Sequence, residues 1–357
     1  MRMNESVHHR DNAIACYIGE IPAFVRQALA DSYQTLHASL PFFEVFRSTD
    51  HVNCYVAERG AQARTILLFH CHGRQVEVLN EMIEIDPAEI HRFADYIFGY
   101  FRQVDVIGFK AVKTPRQPAG FPVQRYHSKD TYVIALPATS TAYLESLGKS
   151  TRAGIRQGLN GLARHFPTFT SHFFVDREID ENHLRAILAL SENRINTRDA
   201  RFVHDVERII RLARICGFVS LFTIDGRICA GSVNYRVGSN YFGDVTAYDP
   251  HYEKQGMGRL CVYLTISESI ARGGNKFYLG GGAFDFKQRL LGVPLAMDAL
   301  RIYRSPLAVV ANADVAIATA AAAAVAWCKQ GLRRNKQAAW ARWCLGAFYF
   351  FRNKLVK

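Results

Sequence analysis

Apolar positions follow two different periods along the chain, and the period-two pattern is clearest between residues 218 and 246. Three β-rich runs cover 218–224, 228–237 and 241–246, separated by an Asp225-Gly226 turn and a Gly238-Ser239-Asn240 turn. Short β-rich runs joined by glycine-containing turns are typical of antiparallel hairpins. The pattern therefore predicts a three-stranded meander.

A helical pattern follows the meander. Apolar residues recur through 257–271, and Arg272-Gly273-Gly274 provides a glycine stop. Between meander and helix lies a short loop with glycines at 256 and 258. A loop of this kind leaves backbone N–H groups free at a helix N-terminus, where the helix dipole favours an anion such as phosphate. The glycines let that backbone approach a ligand closely.

The remaining pattern predicts an α/β chain in three parts. Residues 1–122 contain short β-rich runs and a helix that opens at Asp86-Pro87, and a proline-rich stretch at 114–122 marks a boundary. Residues 123–305 contain the meander, the loop and most of the other elements. Residues 306–357 form an alanine-rich and then basic helical tail. The helices predicted between 123 and 305 cover 139–147, 151–165, 181–196, 202–215, 257–271 and 284–291.

Charge and cysteine content narrow the class of protein. A formal net charge of +12 over 357 residues indicates an acidic partner, but it does not choose among nucleic acid, an anionic membrane, an acidic carrier protein and a phosphorylated cofactor. The eight cysteines form no Cys-x-x-Cys pair, which favours buried thiols over disulfides or a metal site. With no signal-peptide pattern at the N-terminus, we expect a cytoplasmic location.

The tail combines an apolar run with cations and aromatic residues. Residues 309–327 are alanine-rich, with Asp314 as the single charge, and cations alternate with Trp and Phe beyond them. This composition suits an interfacial helix at the inner face of an anionic membrane. A helical hairpin packed on the body of the protein is the alternative.

The order of elements around the glycine loop resembles the GNAT (Gcn5-related N-acetyltransferase) superfamily. Its pyrophosphate loop reads roughly Pro-x-Tyr-Arg-x-x-Gly-x-Gly/Ala, and residues 250–258 align with it without a gap. A closer resemblance is to the BioF2-like or CelD/BcsL-type acyltransferase branch. The residues that carry it are the Ala-Tyr-Asp-Pro-x-Tyr lead-in at 247–252, the Gly-x-Gly-Arg turn at 256–259, and Gly280-Gly281-Gly282 followed by Asp285, Lys287 and Arg289.

The resemblance implies a fold and an activity. The fold would consist of tandem GNAT-like halves, with mixed, mostly antiparallel sheets flanked by helices. The activity would be acyl-CoA-dependent N-acyl transfer, with acetyl-CoA as co-substrate and no permanently bound cofactor. The acceptor would be a small amine or sugar in envelope or polysaccharide metabolism, and neither nucleic acid nor a metal is expected.

The same resemblance assigns site residues. Direct acyl transfer needs a polarised carbonyl, a neutral amine and a proton for the leaving thiolate. We expect Asp244, and after it Asp285, as the base, Tyr248 and Tyr278 as proton donors, and Lys287 and Arg289 as substrate-binding residues. The residues expected to bind the donor are Val245, Tyr248, Lys254, Gln255, Gly256, Met257, Gly258 and Arg259.

Two departures from the family pattern keep alternatives open. Glu253 stands where relatives have Arg or Gln, and a carboxylate near a pyrophosphate is unfavourable. Phe286 stands where relatives often have a tyrosine. The alternatives are a Fem-like transferase that uses aminoacyl-tRNA, a transferase that uses acyl carrier protein, and a non-catalytic GNAT-like binding protein.

Overall fold

The computed structural model describes residues 14–59, 63–115, 120–196, 202–282 and 285–334. It has a mixed α/β fold in which helices flank mostly antiparallel β-structure, which confirms the predicted fold class. The strands are β1 (Ile14–Tyr17), β2 (Asn53–Arg59), β3 (Ala63–His72), β4 (Gln75–Val78), β5 (Ile83–Glu84), β6 (Val106–Lys113), β7 (Val123–Ala135), β8 (Thr170–Val175), β9 (Gly217–Ile224), β10 (Arg227–Val237), β11 (Asn240–Tyr248), β12 (Lys276–Gly281) and β13 (Val293–Tyr303). The α-helices are α1 (Val25–Tyr33), α2 (Leu40–Phe46), α3 (Pro87–Tyr100), α4 (Ser140–Ser146), α5 (Lys149–His165), α6 (Glu181–Asn196), α7 (Val206–Cys216), α8 (Met257–Ala271), α9 (Asp285–Arg289), α10 (Pro306–Ala311) and α11 (Ala313–Arg334).

The chain forms two compact units. Unit 1 contains Met1–Val52, Val56–Ile66 and Asp130–Leu295, and unit 2 contains Asn53–Tyr55, Leu67–Lys129 and Ala296–Lys357. Each unit therefore draws on separate stretches of sequence. The division of the sequence into 1–122, 123–305 and 306–357 stays a prediction.

Unit 1 is built on a sheet with the strand order β7-β12-β11-β10-β9-β8. The predicted meander is present as β9–β10–β11, and β11 and β12 are the parallel pair within this series. Apolar residues of α4, α5 and α8 form the core on one face, and those of α6 and α7 form the core on the other. Leu36 and Val45 also belong to the second core, which explains why residues near α2 join this unit.

Unit 2 contains a smaller set of paired strands. Strand β4 is antiparallel to β3 and parallel to β6, and β6 is antiparallel to β13. Helix α3 connects β4 and β5 to β6 and buries Ile90, Phe93 and Ile97. Its N-terminus lies at Asp86, whose side chain accepts a hydrogen bond from the Ala88 N–H at 2.8 Å.

Several boundaries differ from those predicted. The segment Pro250–Gln255 is a 3-10 helix rather than an open loop, because Asp249 and Pro250 begin a helical turn there. Helix α7 begins at Val206, and not at residue 202, because Asp205 caps it. Residues 116–119 of the proline-rich boundary, Phe284, and the tail from 335 to 357, which includes Cys344, lie outside the described residues.

Candidate functional site

The parallel strands β11 and β12 separate partway along their length. Their register pairs Asn240 with Lys276, Tyr241 with Phe277 and Phe242 with Tyr278, and it records no further pair between the two strands over the described residues. Strand β11 nevertheless continues to Tyr248. Its backbone groups beyond Phe242 are therefore not used by β12 and can hydrogen-bond to a ligand that enters between the strands.

A β-bulge lies where the two strands separate. Strand β10 pairs Val233 with Val245 and Asn234 with Gly243, so Asp244 is the extra residue on β11. The bulge places two consecutive side chains on one face of the sheet. Val245 packs in the core formed with α6 and α7, and Asp244 bonds to Tyr235, which belongs to the same core.

Asp244 is exposed as a residue. The protein atoms close to its carboxyl group nevertheless desolvate that group. The Tyr235 hydroxyl donates a hydrogen bond to Asp244 Oδ2 at 3.1 Å. Desolvation raises the pKa of Asp244, while the bond from Tyr235 and the nearby His204 act in the opposite direction. A carboxylate with a raised pKa is a stronger base than an ordinary aspartate.

The N-terminus of α8 carries no side-chain cap. Gly256 adopts the left-handed conformation with φ of 70°, which glycine reaches without strain, and it occupies the N-cap position. The Gly256 carbonyl accepts hydrogen bonds from the N–H groups of Arg259 and Leu260. The first turn of α8 contains no acidic residue, so its N–H groups and dipole face solvent or a ligand.

Tyr248 lies against this helix N-terminus. A Cβ atom built on Gly258 would be 2.6 Å from Cε1 of Tyr248, so glycine is required for the observed packing. Arg194 of α6 stacks over the Tyr248 ring at 5.1 Å and donates to the Thr246 carbonyl at 3.1 Å. These contacts join the end of β11, the start of α8 and the C-terminal part of α6.

Two glycines of the basic helix α5 allow that helix to pack closely beside the N-terminus of α8. The Arg259 guanidinium donates to the Gly154 carbonyl at 3.3 Å, and a Cβ atom on Gly154 would meet that guanidinium at 3.0 Å. Gly158 approaches Leu260 in the same way. Lys149, Arg156 and Arg164 are exposed on α5, so this helix brings positive charge to the side of the sheet that carries α8.

A buried lysine supports the end of β12. Lys287 Nζ donates to the carbonyl of Gly280 at 3.1 Å and to that of Gly281, and it lies 5.6 Å from the centre of the Tyr132 ring. Desolvation lowers the pKa of Lys287 to about 8. Arg289 and Asp285 occupy exposed positions on the same short helix, α9.

The expected site residues divide between the two faces of the unit 1 sheet. Asp244, Val245 and Tyr278 lie on the face covered by α6 and α7, where Tyr278 stacks on Phe242 with ring centres 4.5 Å apart. Tyr248 and Met257 belong to the face covered by α5 and α8.

The loop residues before α8 occupy the 3-10 helix. Lys254 and Glu253 are exposed there, and the Glu253 carbonyl accepts the Gly256 N–H at 2.9 Å. Gln255 has a buried side-chain oxygen that finds no hydrogen-bond partner within the described ranges. Phe286 is exposed on α9.

Three residues of this site were not predicted from the sequence. Tyr235 and His204 surround the carboxylate, and Arg194 covers Tyr248. Burial lowers the pKa of His204, and His204 Nε2 is buried without a partner among the residues that the structure describes. No local pattern could identify these residues, because their positions depend on how α6 and the segment before α7 pack against β11.

Comparison with protein families agrees with this geometry. Residues 149–288 match the family model described as the acetyltransferase (GNAT) domain. They include α5, the meander, the β11–α8–β12 crossover and most of α9. Residues 149–288 therefore form a GNAT domain of the acyltransferase type.

Comparison with solved structures extends the likeness in fold. The crystal structure of FemX superimposes with a TM-score of 0.58 and 10% identity, over 79% of this chain and 96% of that chain. L-PGS from Bacillus licheniformis gives a TM-score of 0.42 at 16% identity, over 68% and 81% of the two chains. A tandem GNAT protein from the clavulanic acid biosynthesis pathway gives 0.33 at 10% identity, over 70% and 82%. The comparison with curated proteins gave no significant match.

Proposed function

We propose that this protein is an acyl-CoA-dependent N-acyltransferase, with acetyl-CoA as donor and a small amine or sugar as acceptor. The observation that carries the proposal is the separation of β11 from β12 beside an uncapped helix N-terminus. An extended thioester arm fits between the strands, and a pyrophosphate fits the N–H groups at the start of α8. One continuous donor would fill both openings.

The donor end of the site has both dipole and charge. The N–H groups of Met257 and Gly258 would bind the pyrophosphate, with Arg259 as the nearest cation. Lys254 and Gln255 would contact the remainder of the donor. Glu253 is exposed, so its carboxylate can turn toward solvent and away from the phosphates.

The reacting end would use β11. Backbone N–H groups around Val245 would polarise the thioester carbonyl. Asp244 would take the proton of the attacking amine, since its raised pKa favours proton uptake. The new C–N bond forms as the C–S bond breaks, and Tyr248 or Tyr278 would donate a proton to the leaving thiolate. No covalent intermediate with the enzyme is needed.

The acceptor would approach from the face that carries Asp244 and Tyr278. Arg289 on α9 is exposed and can bind a polar substituent of the acceptor. Lys287 donates to two backbone carbonyls, so it would act by fixing the glycine-containing end of β12 around the acceptor. Asp285 would serve as the second candidate base. An envelope or polysaccharide acceptor and membership of the BioF2-like branch remain predictions from the sequence resemblance.

A second candidate is a Fem-like transferase that takes its acyl group from aminoacyl-tRNA. The likeness in fold to FemX covers 79% of this chain and so extends beyond the 149–288 domain. The exposed cations of α5 beside the donor loop would suit a polyanionic carrier of this kind. The same helix would suit an acidic acyl carrier protein.

Isothermal titration of the full chain with acetyl-CoA, acyl carrier protein and aminoacyl-tRNA would separate these donors. We expect saturable binding of acetyl-CoA that is weakened roughly 10- to 100-fold in Gly258→Val, together with release of free CoA thiol in the presence of an accepted amine. Binding of aminoacyl-tRNA without binding of acetyl-CoA would favour the Fem-like candidate. Failure of all three donors to bind would indicate a non-catalytic GNAT-like protein.

A further inference from the structure

Helices α10 and α11 present an exposed apolar face. Leu307, Val310, Ile317, Val325 and Trp327 are large apolar side chains that unit 2 leaves exposed. The segment Ala313–Leu332 has a mean hydropathy of 1.3, and 6% of it is buried. It is the one helix of the described residues that is long and apolar enough to cross a membrane. Few soluble proteins leave an apolar helix so uncovered.

The N-terminal part of α11 is attached to unit 2. Val315 and Ala316 pack against the cluster of Val106 and Tyr303. Gln124 donates to the Ala316 carbonyl at 3.2 Å, and Thr319 is buried one turn further on. A helix inserted across a bilayer would lose these contacts. The helix can instead lie along a surface with its outer face turned to the lipid.

The adjoining sequence has the charge that an anionic surface attracts. Between Val315 and Lys357 the sequence contains eight Lys and Arg residues, the first of them Lys329, and no Asp or Glu. A second copy of this chain would bring like charges together at this face, whereas anionic lipid headgroups would neutralise them. Trp327 lies at the junction of apolar and basic residues, where tryptophan is favoured at a membrane interface.

From these observations we propose that the α10–α11 face docks unit 2 onto an anionic membrane surface. The apolar side chains from Leu307 to Trp327 enter the headgroup and acyl boundary, and the net positive charge of the sequence that follows attracts the anionic headgroups. Stable attachment of a peripheral protein generally needs two such signals, and both are present here. The proposal does not depend on which acyl donor the other unit uses.

Co-sedimentation of the full chain with vesicles tests the proposal. We expect binding to vesicles of phosphatidylcholine mixed with phosphatidylglycerol, and little binding to phosphatidylcholine alone. The apolar variant Ile317→Gln/Val325→Gln/Trp327→Gln keeps the net charge. It should bind at least about tenfold more weakly, because it lacks three apolar side chains that would enter the membrane. Its matched control is Ile18→Gln/Val293→Gln/Phe24→Gln, which alters exposed apolar residues of unit 1.

A charge variant provides an independent measurement. Lys329→Gln/Arg333→Gln/Arg334→Gln should lose roughly fivefold in binding per cation, and the loss should shrink as salt is added. Its matched control is Lys276→Gln/Arg211→Gln/Arg227→Gln in unit 1, which should bind like the wild type. Thermal unfolding of each variant establishes that it is folded.

Three outcomes would overturn the proposal. The first is a wild-type protein that stays in the supernatant with anionic vesicles. The second is unchanged vesicle binding by both the apolar and the charge variant. The third is a wild-type dimer in light scattering that becomes a monomer in the apolar variant while vesicle binding is unchanged, which would assign the face to self-association.

Discussion

Over the residues that the structure describes, each unit contains one strand–helix–strand crossover whose two strands are parallel neighbours. In unit 1 it is β11–α8–β12, and in unit 2 it is β4–α3–β6 with the short β5 inserted. The helices have 15 and 14 residues, respectively. In both units the first strand is antiparallel to the strand before it, and the last strand has an antiparallel neighbour on its other side.

The helix N-termini of the two crossovers differ in charge. Helix α3 is capped by the Asp86 carboxylate and has Glu89 at its third position. Helix α8 has Gly256 at the N-cap and Arg259 at its third position. In α3 the protein supplies its own anion to the N–H groups, whereas in α8 those groups stay available.

The gap between the parallel strands also differs. In unit 2, β5 pairs with β6 at Val112 and Lys113, and the Met82 N–H donates to the Ala111 carbonyl at 2.7 Å. In unit 2, β5 thus fills the position beside β6 that corresponds to the open position beside β12 in unit 1. One crossover can therefore serve as a structural element or as a ligand site, and a few residues at its N-terminal end decide which. We expect donor binding in unit 1 alone.

The largest effect should come from the Asp244 carboxylate. Asp244→Asn should lower kcat by about 100-fold or more, because a positioned general base contributes roughly 10²- to 10⁴-fold. Since the pKa of Asp244 is raised above 3.8, activity should fall as the pH falls through that raised value. Steady-state rates over a range of pH would check both points. Glu77→Gln, on the corresponding strand β4, is the control and should leave kcat unchanged; an equal loss there would remove the distinction between the units.

The next effect concerns the second residue of each helix. Gly258→Val should weaken donor binding roughly 10- to 100-fold, because its side chain overlaps Tyr248 and distorts the start of α8. Ala88→Val makes the corresponding change in α3, where the residue is exposed, and should leave donor affinity unchanged. Calorimetric titration with acetyl-CoA measures both variants. Similar affinities for the two would contradict the assignment of the donor to α8.

Charge reversal at the third helical position should have a smaller effect. Arg259→Glu should lower donor affinity by roughly tenfold at low salt, because it places a carboxylate where α3 has Glu89. Competition binding at two salt concentrations would measure the loss, which should diminish at the higher one. Glu89→Gln is the control in α3. An affinity that is insensitive to Arg259→Glu would place the phosphates elsewhere.

The smallest effect should be on stability. Asp86→Ala removes the cap of α3 and should lower the free energy of unfolding by about 1 kcal/mol. Denaturant titration measures this change. Donor affinity should be the same as in the wild type, since the cap belongs to unit 2. A change in donor affinity without loss of stability would indicate that the N-terminus of α3 takes part in donor binding.

Local sequence features predicted a large part of unit 1. The meander was predicted because Asp225-Gly226 and Gly238-Ser239 are turn sequences between apolar runs. Helix α8 was predicted with its bounds, 257 and 271, because glycine lies at both of its ends. Such signals act over a few residues and need no knowledge of the tertiary structure.

Features that arise from pairing between distant residues were not predicted. The bulge at Asp244 is defined by the partner residues Val233 and Asn234 on β10. The closure of unit 2 by β5 depends on a two-residue strand, which is too short to give a pattern. Likewise, the contact of Arg194 with Tyr248 requires α6 to lie across β11. Each depends on register and packing, which the sequence of one element does not contain.

The pairing of β6 with β13 has a consequence for synthesis of the chain. Strand β6 ends at Lys113, but its antiparallel partner begins at Val293. The ribosome therefore synthesises nearly all of unit 1 before it synthesises β13. Until then, the edge of β6 that pairs with β13 has no partner strand. The usual order, in which the N-terminal part folds first, cannot complete unit 2. A chain released before residue 303 would carry an open strand edge that is prone to associate with other chains.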